Sequence, residues 1–312
     1  MNSRIQQLDF LKCICILLMV MFHLVFIGEK FPYAKQVVYT FHMPVFLLLS
    51  GYLVHTQRPA RRFFRSQFWI FVPYLSLELP YVILSGMMGV RGGDTDLSVQ
   101  NLLYRVFVNP LGPYWYLHTL LICNISLWCV QNFLQRLEWF PRLCVFALLL
   151  VVLVFGLGIV ADNVLYYFFG VVMGMVGLNF MQVFHSSFIS LLLGALLCSF
   201  PANLHYASLG GLAITYFAIN FMLWVYDHCG SLCLRPALFL GRNTLTILLF
   251  SPIFTMLVKP LVPILSFDPT GLLFLVIATS IAVLGSLSIA WVMDRLKLSR
   301  WFCGRPTLLD RG

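Results

Sequence analysis

The chain reads as long apolar runs broken by short polar links. Several runs reach about twenty residues, the length an α-helix needs to cross hydrocarbon, whereas a membrane barrel shows alternating segments of about ten. Backbone N–H and C=O groups must be satisfied inside a bilayer, so continuous helices are the expected solution. The pattern predicts an all-α, polytopic transmembrane helical bundle of about ten spans. They fall at 8–27, 37–56, 67–88, 114–133, 143–160, 163–182, 187–201, 205–226, 241–262 and 271–293. The seventh is short, and only a few residues link the fifth and sixth. Asp9 and Lys12 interrupt the first run, which lacks a small-residue cleavage site, so it reads as a retained helix rather than a removable signal. The longest polar link, 89–113, contains Arg91-Gly92-Gly93-Asp94-Thr95-Asp96 and either lines a site or simply connects two spans.

Charge placement sets the orientation. With the N-terminus in the cytoplasm, inner segments hold Arg4, then Arg58, Arg61, Arg62 and Arg65, then Arg136 and Arg142, then Arg235 and Arg242. The inner tail adds Arg295, Lys297, Arg300, Arg305 and Arg311, while the outer links hold only Lys30, Lys35, Arg91, Arg105 and Lys259. This asymmetry follows the positive-inside rule and predicts that both termini are cytoplasmic.

Composition agrees. Hydrophobic residues make up 61% of the chain and charged residues 10%, against about a quarter charged in soluble domains. A soluble fold, a disordered chain and a disulfide scaffold are all excluded, and 1–312 reads as a single membrane domain. The net charge of +9 is accounted for by orientation and by attraction to anionic lipid, so no nucleic-acid partner is expected. Nine cysteines are scattered over apolar stretches. Cys229 and Cys233, near Asp227 and His228, form a poor zinc pattern without a second dispersed pair, so no metal is expected.

Ionisable groups at membrane depth mark candidate chemistry. Lys12 and His23 are eleven positions apart, about three helical turns and about 16 Å, so they share one face of the first helix. Lys12 falls near its inner end and His23 near its outer end. The second span returns inward from Phe41-His42-Met43-Pro44, which brings His42 to a similar depth. Histidine has the unperturbed pKa closest to neutrality and suits proton transfer. Arg58-Pro59-Ala60-Arg61-Arg62-Phe63-Phe64-Arg65 then forms a cluster suited to a phosphorylated ligand. Each feature also has a plainer reading. Asp9 and Lys12 can neutralise each other, His23 can tie two helices together, and the arginines can meet lipid head groups. Glu78 in the third span and His118 in the fourth are candidates for binding an acceptor.

At these residues the sequence resembles the acyltransferase-3 family of bacterial integral membrane O-acyltransferases. The resemblance rests on Asp9-Phe10-Leu11-Lys12 with His23, on Phe41-His42-Met43-Pro44-Val45-Phe46 leading to Ser50-Gly51, and on Arg62 and Arg65 leading to Pro73-Tyr74. It continues through Trp115-Tyr116-Leu117 and Gly241-Arg242-Asn243-Thr244-Leu245. Lys12 stands where many members have arginine, Ser251-Pro252 where a histidine is frequent, and Leu47 where a second phenylalanine is usual.

The resemblance implies transfer of an acyl group, most often acetyl, from cytoplasmic acyl-CoA to a hydroxyl of a cell-envelope carbohydrate or lipid-linked glycan. The enzyme would be of the standalone form, multi-pass in the bacterial inner membrane, with acyl-CoA as co-substrate and no tightly bound cofactor. In that setting His23 is expected as general base, with His42 orienting it or stabilising the oxyanion, or one of them carries the acyl group in a relay. Lys12, Arg62, Arg65 and Arg242 are expected on the donor phosphates. Glu78, Trp115, Tyr116 and His118 are expected on the acceptor, with Asp9 and Ser50 in support. The competing reading is a transporter or exporter of a glycan or polar solute that performs no chemistry.

Overall fold

The computed structural model describes residues 4–55, 58–87, 96–157 and 160–311, so Arg91-Gly92-Gly93-Asp94-Thr95 lie outside the described residues. Within them every regular element is helical and there is no strand. Helix α1 (Gln6–His23) is followed by α2 (Val25–Lys30), α3 (Pro32–Leu53) and α4 (Ala60–Met87). Next come α5 (Val99–Phe107), α6 (Trp115–Phe133), α7 (Trp139–Leu157) and α8 (Ala161–Val176). Then follow α9 (Phe180–Val183), α10 (Ile189–Cys198), α11 (Leu209–His228) and α12 (Ser231–Arg242). The last four are α13 (Thr244–Leu257), α14 (Leu261–Ile264), α15 (Leu272–Arg295) and α16 (Ser299–Cys303).

Each apolar run of the sequence contains a helix. Six of them, α1, α3, α4, α7, α11 and α15, are long and apolar enough to cross a membrane. The chain is therefore an all-helical, multi-pass membrane protein. Helices α12 and α13 meet the same standard only as a pair, and they are bent by 83° at Asn243. Helix α6 has 19 residues but carries His118, Asn124, Gln131 and Asn132, which dilute its apolar character. Helices α8 and α10 are shorter, at 16 and 10 residues.

Three boundaries differ from expectation. The first run does not continue to 27 as one helix: α1 ends at His23 because Leu24 turns to φ −67°, ψ 106°. The ninth run does not start a straight helix at 241, since α12 already occupies 231–242 and the corner follows. The polar link before Pro113 is partly helical. Ser98 caps α5 by accepting from the Asn101 N–H at 3.3 Å, the usual way a short side chain satisfies a free N-terminal donor.

The chain divides into two compact units. The first comprises 4–49, 178–298 and 306–311. Here α1 packs on α11, α12, α13 and α15, and α13 lies along α15. The crossing of α1 and α12 is close because position 241 is glycine: a Cβ there would run into the backbone carbonyl of Asp9. Leu24, Ile27, Val258, Phe274 and Ala278 form a buried cluster past the end of α1. The terminal segment folds back on the α12–α13 corner. The Asn243 side chain donates to the Asp310 carbonyl at 3.0 Å and accepts from the Asp310 N–H at 2.8 Å, while Asp294 accepts from the Leu308 N–H at 2.6 Å.

That close crossing makes a prediction. Gly241→Val is expected to destabilise the protein by about 2–3 kcal/mol, because the clash is with backbone that cannot rotate away. Gly194→Ala in α10 is the control, since its added Cβ would sit 3.6 Å from Phe217 Cβ, an ordinary contact. Thermal unfolding in detergent should separate the two variants, with only the first shifted downwards.

The second unit comprises 50–177 and 299–305 less the residues outside the description. Gly51 lets its backbone meet α8, where a Cβ would collide with the Tyr167 carbonyl. Three helices are tied by a buried polar chain. The Tyr167 hydroxyl donates to Asn124 Oδ1 at 2.6 Å, and Asn124 Nδ2 donates to Gln67 Oε1 at 3.2 Å. Buried polar groups in such a bundle are stabilising only when each finds a partner, and here α8, α6 and α4 supply one another.

Candidate active site

Two histidines of the first unit lie near the ring of the same tyrosine. His23 closes α1, and its Nδ1 donates to the Met19 carbonyl one turn back at 2.7 Å. His42 repeats the arrangement on α3, with Nδ1 donating to the Val38 carbonyl at 2.8 Å. A carbonyl can only accept, so in the neutral ring both protons sit on Nδ1 and both Nε2 atoms carry lone pairs. Nε2 of His42 is buried and has no hydrogen-bond partner. The Tyr39 ring lies 6.0 Å from His23 and 5.0 Å from His42, centroid to centroid. Its hydroxyl donates to the Phe22 carbonyl at 3.3 Å, and Lys35 Nζ stands 5.3 Å above its ring. Lys35, Tyr39 and His42 follow one another at one- and two-turn spacing on α3, so a cation, an aromatic ring and an imidazole share a stripe. Such a set can take a proton on Nε2 and meet developing negative charge with Lys35.

At the other end of α1 lies a compact ion-pair network. The Asp9 carboxylate is buried and collects three cations. Arg4 Nε donates to it at 2.6 Å, Lys12 Nζ at 3.3 Å, and Arg242 Nε approaches to 3.9 Å. Arg4 also reaches Asp310 at 2.6 Å. Arg242 Nε is buried without a hydrogen bond, so it contributes charge to the network rather than a formed donor. The expected Asp9–Lys12 pairing is thus one spoke of a larger hub. Lys12 and Arg242 are brought together there, with about a fifth of each side chain left exposed.

The remaining candidates sit in the second unit. Arg62 and Arg65 are exposed on the first turns of α4. Ser50 and the Tyr116 hydroxyl are 2.7 Å apart, and Trp115 meets the Tyr116 ring edge-on at 6.4 Å. Glu78 and His118 converge on the segment between α5 and α6. The Leu111 N–H donates to Glu78 Oε1 at 2.5 Å, and His118 Nε2 donates to the Phe107 carbonyl at 2.9 Å. The Tyr74 hydroxyl donates to the Val106 carbonyl at 2.6 Å. Three side chains therefore clamp the backbone between 106 and 111. Glu78 Oε2 is buried and makes no hydrogen bond. Among the described residues no three His, Cys, Asp or Glu side chains gather as a metal site would require.

Sequence reasoning passed over Tyr39, Lys35, Arg4 and Asp310. The first two had a usable signal, their helical spacing from His42. Asp310 had none, because its partners Arg4 and Asn243 lie 306 and 67 positions away along the chain.

The family model described as an acyltransferase domain matches residues 5–291. No curated protein and no solved structure matches the chain.

Proposed function

The chain belongs to the acyltransferase-3 family, and from that premise we propose that it moves an acyl group, acetyl in the first instance, from cytoplasmic acyl-CoA to a hydroxyl of a cell-envelope carbohydrate. The supporting observation is the pair of imidazoles near the ring of Tyr39, each with Nδ1 held by its own helix and Nε2 left out of that bond. In this reading His23 Nε2 takes the proton of the acceptor hydroxyl as its oxygen attacks the thioester carbonyl. The tetrahedral oxyanion is met by the Lys35 ammonium, while His42, whose Nε2 carries a lone pair, orients the acceptor by accepting from a hydroxyl. Collapse expels the CoA thiolate, which recovers the proton from His23, so charge and atoms balance. A relay through an acyl-histidine uses the same residues and differs by one additional transfer.

The other assignments are proposed on the resemblance alone. Lys12, Arg62, Arg65 and Arg242 attract the donor phosphates, while Glu78 Oε2, Trp115, Tyr116 and His118 receive the acceptor. Asp9 and Ser50 keep their neighbours in place. The ten apolar runs make ten crossings of the bacterial inner membrane with both ends in the cytoplasm, and 1–312 acts as one catalytic domain.

The test is direct. Purified protein in nanodiscs, given acetyl-CoA labelled in the acetyl group and a crude envelope glycan fraction, is expected to release free CoA and place label on glycan in equal amounts. Absence of both products, with labelled glycan instead crossing a sealed vesicle, would replace the enzyme with the transporter reading.

A further inference from the structure

The second unit contains a polar cavity of about 610 Å³, within the range of small-molecule sites. It opens where α3 ends and is walled by α6, α7 and α8. Its polar lining comes from His55, Arg58, Gln131, Trp139 and Arg142. Among the described residues no carboxylate lines it, so the two guanidinium groups meet no opposite charge from that lining. Arg142 is also prearranged: Nη1 donates to Gln131 Oε1 at 2.9 Å and Nε to the Glu138 carbonyl at 3.3 Å. Gln131 is held in turn by Nε2 donating to Met175 Sδ at 3.1 Å. Trp139, 47% exposed, presents an indole at the rim.

Two arginines, a histidine and an exposed indole around a cavity of this size suit a phosphorylated nucleotide. We propose that this cavity binds the phosphorylated adenosine end of a soluble donor, with Arg58 and Arg142 on phosphate and Trp139 stacked on the base. The inference rests on the acyl-CoA reading above and sharpens it. It moves the main phosphate contacts from Arg62 and Arg65, which are exposed and do not line the cavity, and from Lys12 and Arg242, which already serve Asp9.

Adenosine 3′,5′-bisphosphate is the probe, titrated calorimetrically against the full chain in phosphatidylcholine nanodiscs. Arg58→Ala and Arg142→Ala are each expected to weaken its binding at least 10-fold, and Arg300→Ala, at an exposed position that does not line the cavity, less than 2-fold. The affinity ratio of CoA to dephospho-CoA should fall towards one in whichever arginine variant loses the 3′-phosphate contact. A merely structural defect would leave that ratio unmoved. Arg58→Lys and Arg142→Lys, which keep the charge, should recover part of the loss and guard against misfolding. Equal probe affinity in wild type and both alanine variants overturns the site. So does loss of co-purifying phosphatidylglycerol without loss of nucleotide affinity, which would assign the cavity to a lipid head group. Nucleotide binding through these arginines without any acyl transfer would uphold the cavity and reject the enzyme, and transfer with unchanged nucleotide affinity in the variants would do the reverse.

Discussion

Replacing His23 with alanine is expected to lower acyl transfer by about 10²–10⁴-fold, the range that removal of a positioned general base produces. The loss should appear in the chemical step, because His23 stands at the far end of α1 from the cations around Asp9, and donor affinity should stay within 2-fold. His42→Ala is expected to cost about 10²-fold, as loss of a group that positions a reactant does. Rates measured in nanodiscs at saturating acyl-CoA would decide the matter. Transfer by His23→Ala within 2-fold of wild type rejects the base assignment. The relay is distinguishable from direct transfer by intact mass. Denied an acceptor, a relay enzyme gains one acyl unit on the protein, and the His23 or His42 variant lacking the carrier does not.

Asp9→Ala should be strongly destabilising to the first unit. The carboxylate is buried, 3% exposed in its side chain, and its removal leaves Arg4, Lys12 and Arg242 facing one another. Loss of one partner from a fully buried pair costs about 3–5 kcal/mol. Here the cations retain 49%, 22% and 23% exposure, so water screens part of the repulsion and about 2–3 kcal/mol is expected. Asp9→Asn keeps the shape and loses the charge, and should fall between. In an Arg242→Gln background Asp9→Ala should cost less than in the wild type, since one of the stranded cations is already gone. Additive losses in thermal or denaturant unfolding would show that Arg242 is no part of the network.

Hydropathy made most of the helices legible, because a run of about twenty apolar residues has few alternatives in a bilayer. It could not show that α1 stops at His23. The apolar run continues through Leu24-Val25-Phe26-Ile27, and a change in one ψ angle leaves no trace in hydropathy. It also hid α12, whose Arg235, Pro236 and Arg242 give that helix the look of a loop. At the site, the spacing of Lys12 and His23 was visible because both lie on one helix. Tyr39 escaped because aromatic residues are ordinary near a membrane surface. That Glu78 Oε1 accepts from the Leu111 N–H, 33 positions onwards, had no signal in the spacing of the sequence. The cavity of Arg58 and Arg142 was out of reach for a similar reason, being assembled from four separate stretches of chain.

The return of the terminal segment to Asn243 has a practical bearing on anyone handling the protein. Residues 306–310 behave as a splint across a sharp bend, pinned by both backbone groups of Asp310 and by the Asp294 carboxylate. An affinity tag or fluorescent reporter joined directly after Gly312 would pull on that splint, so a flexible spacer should be built between them.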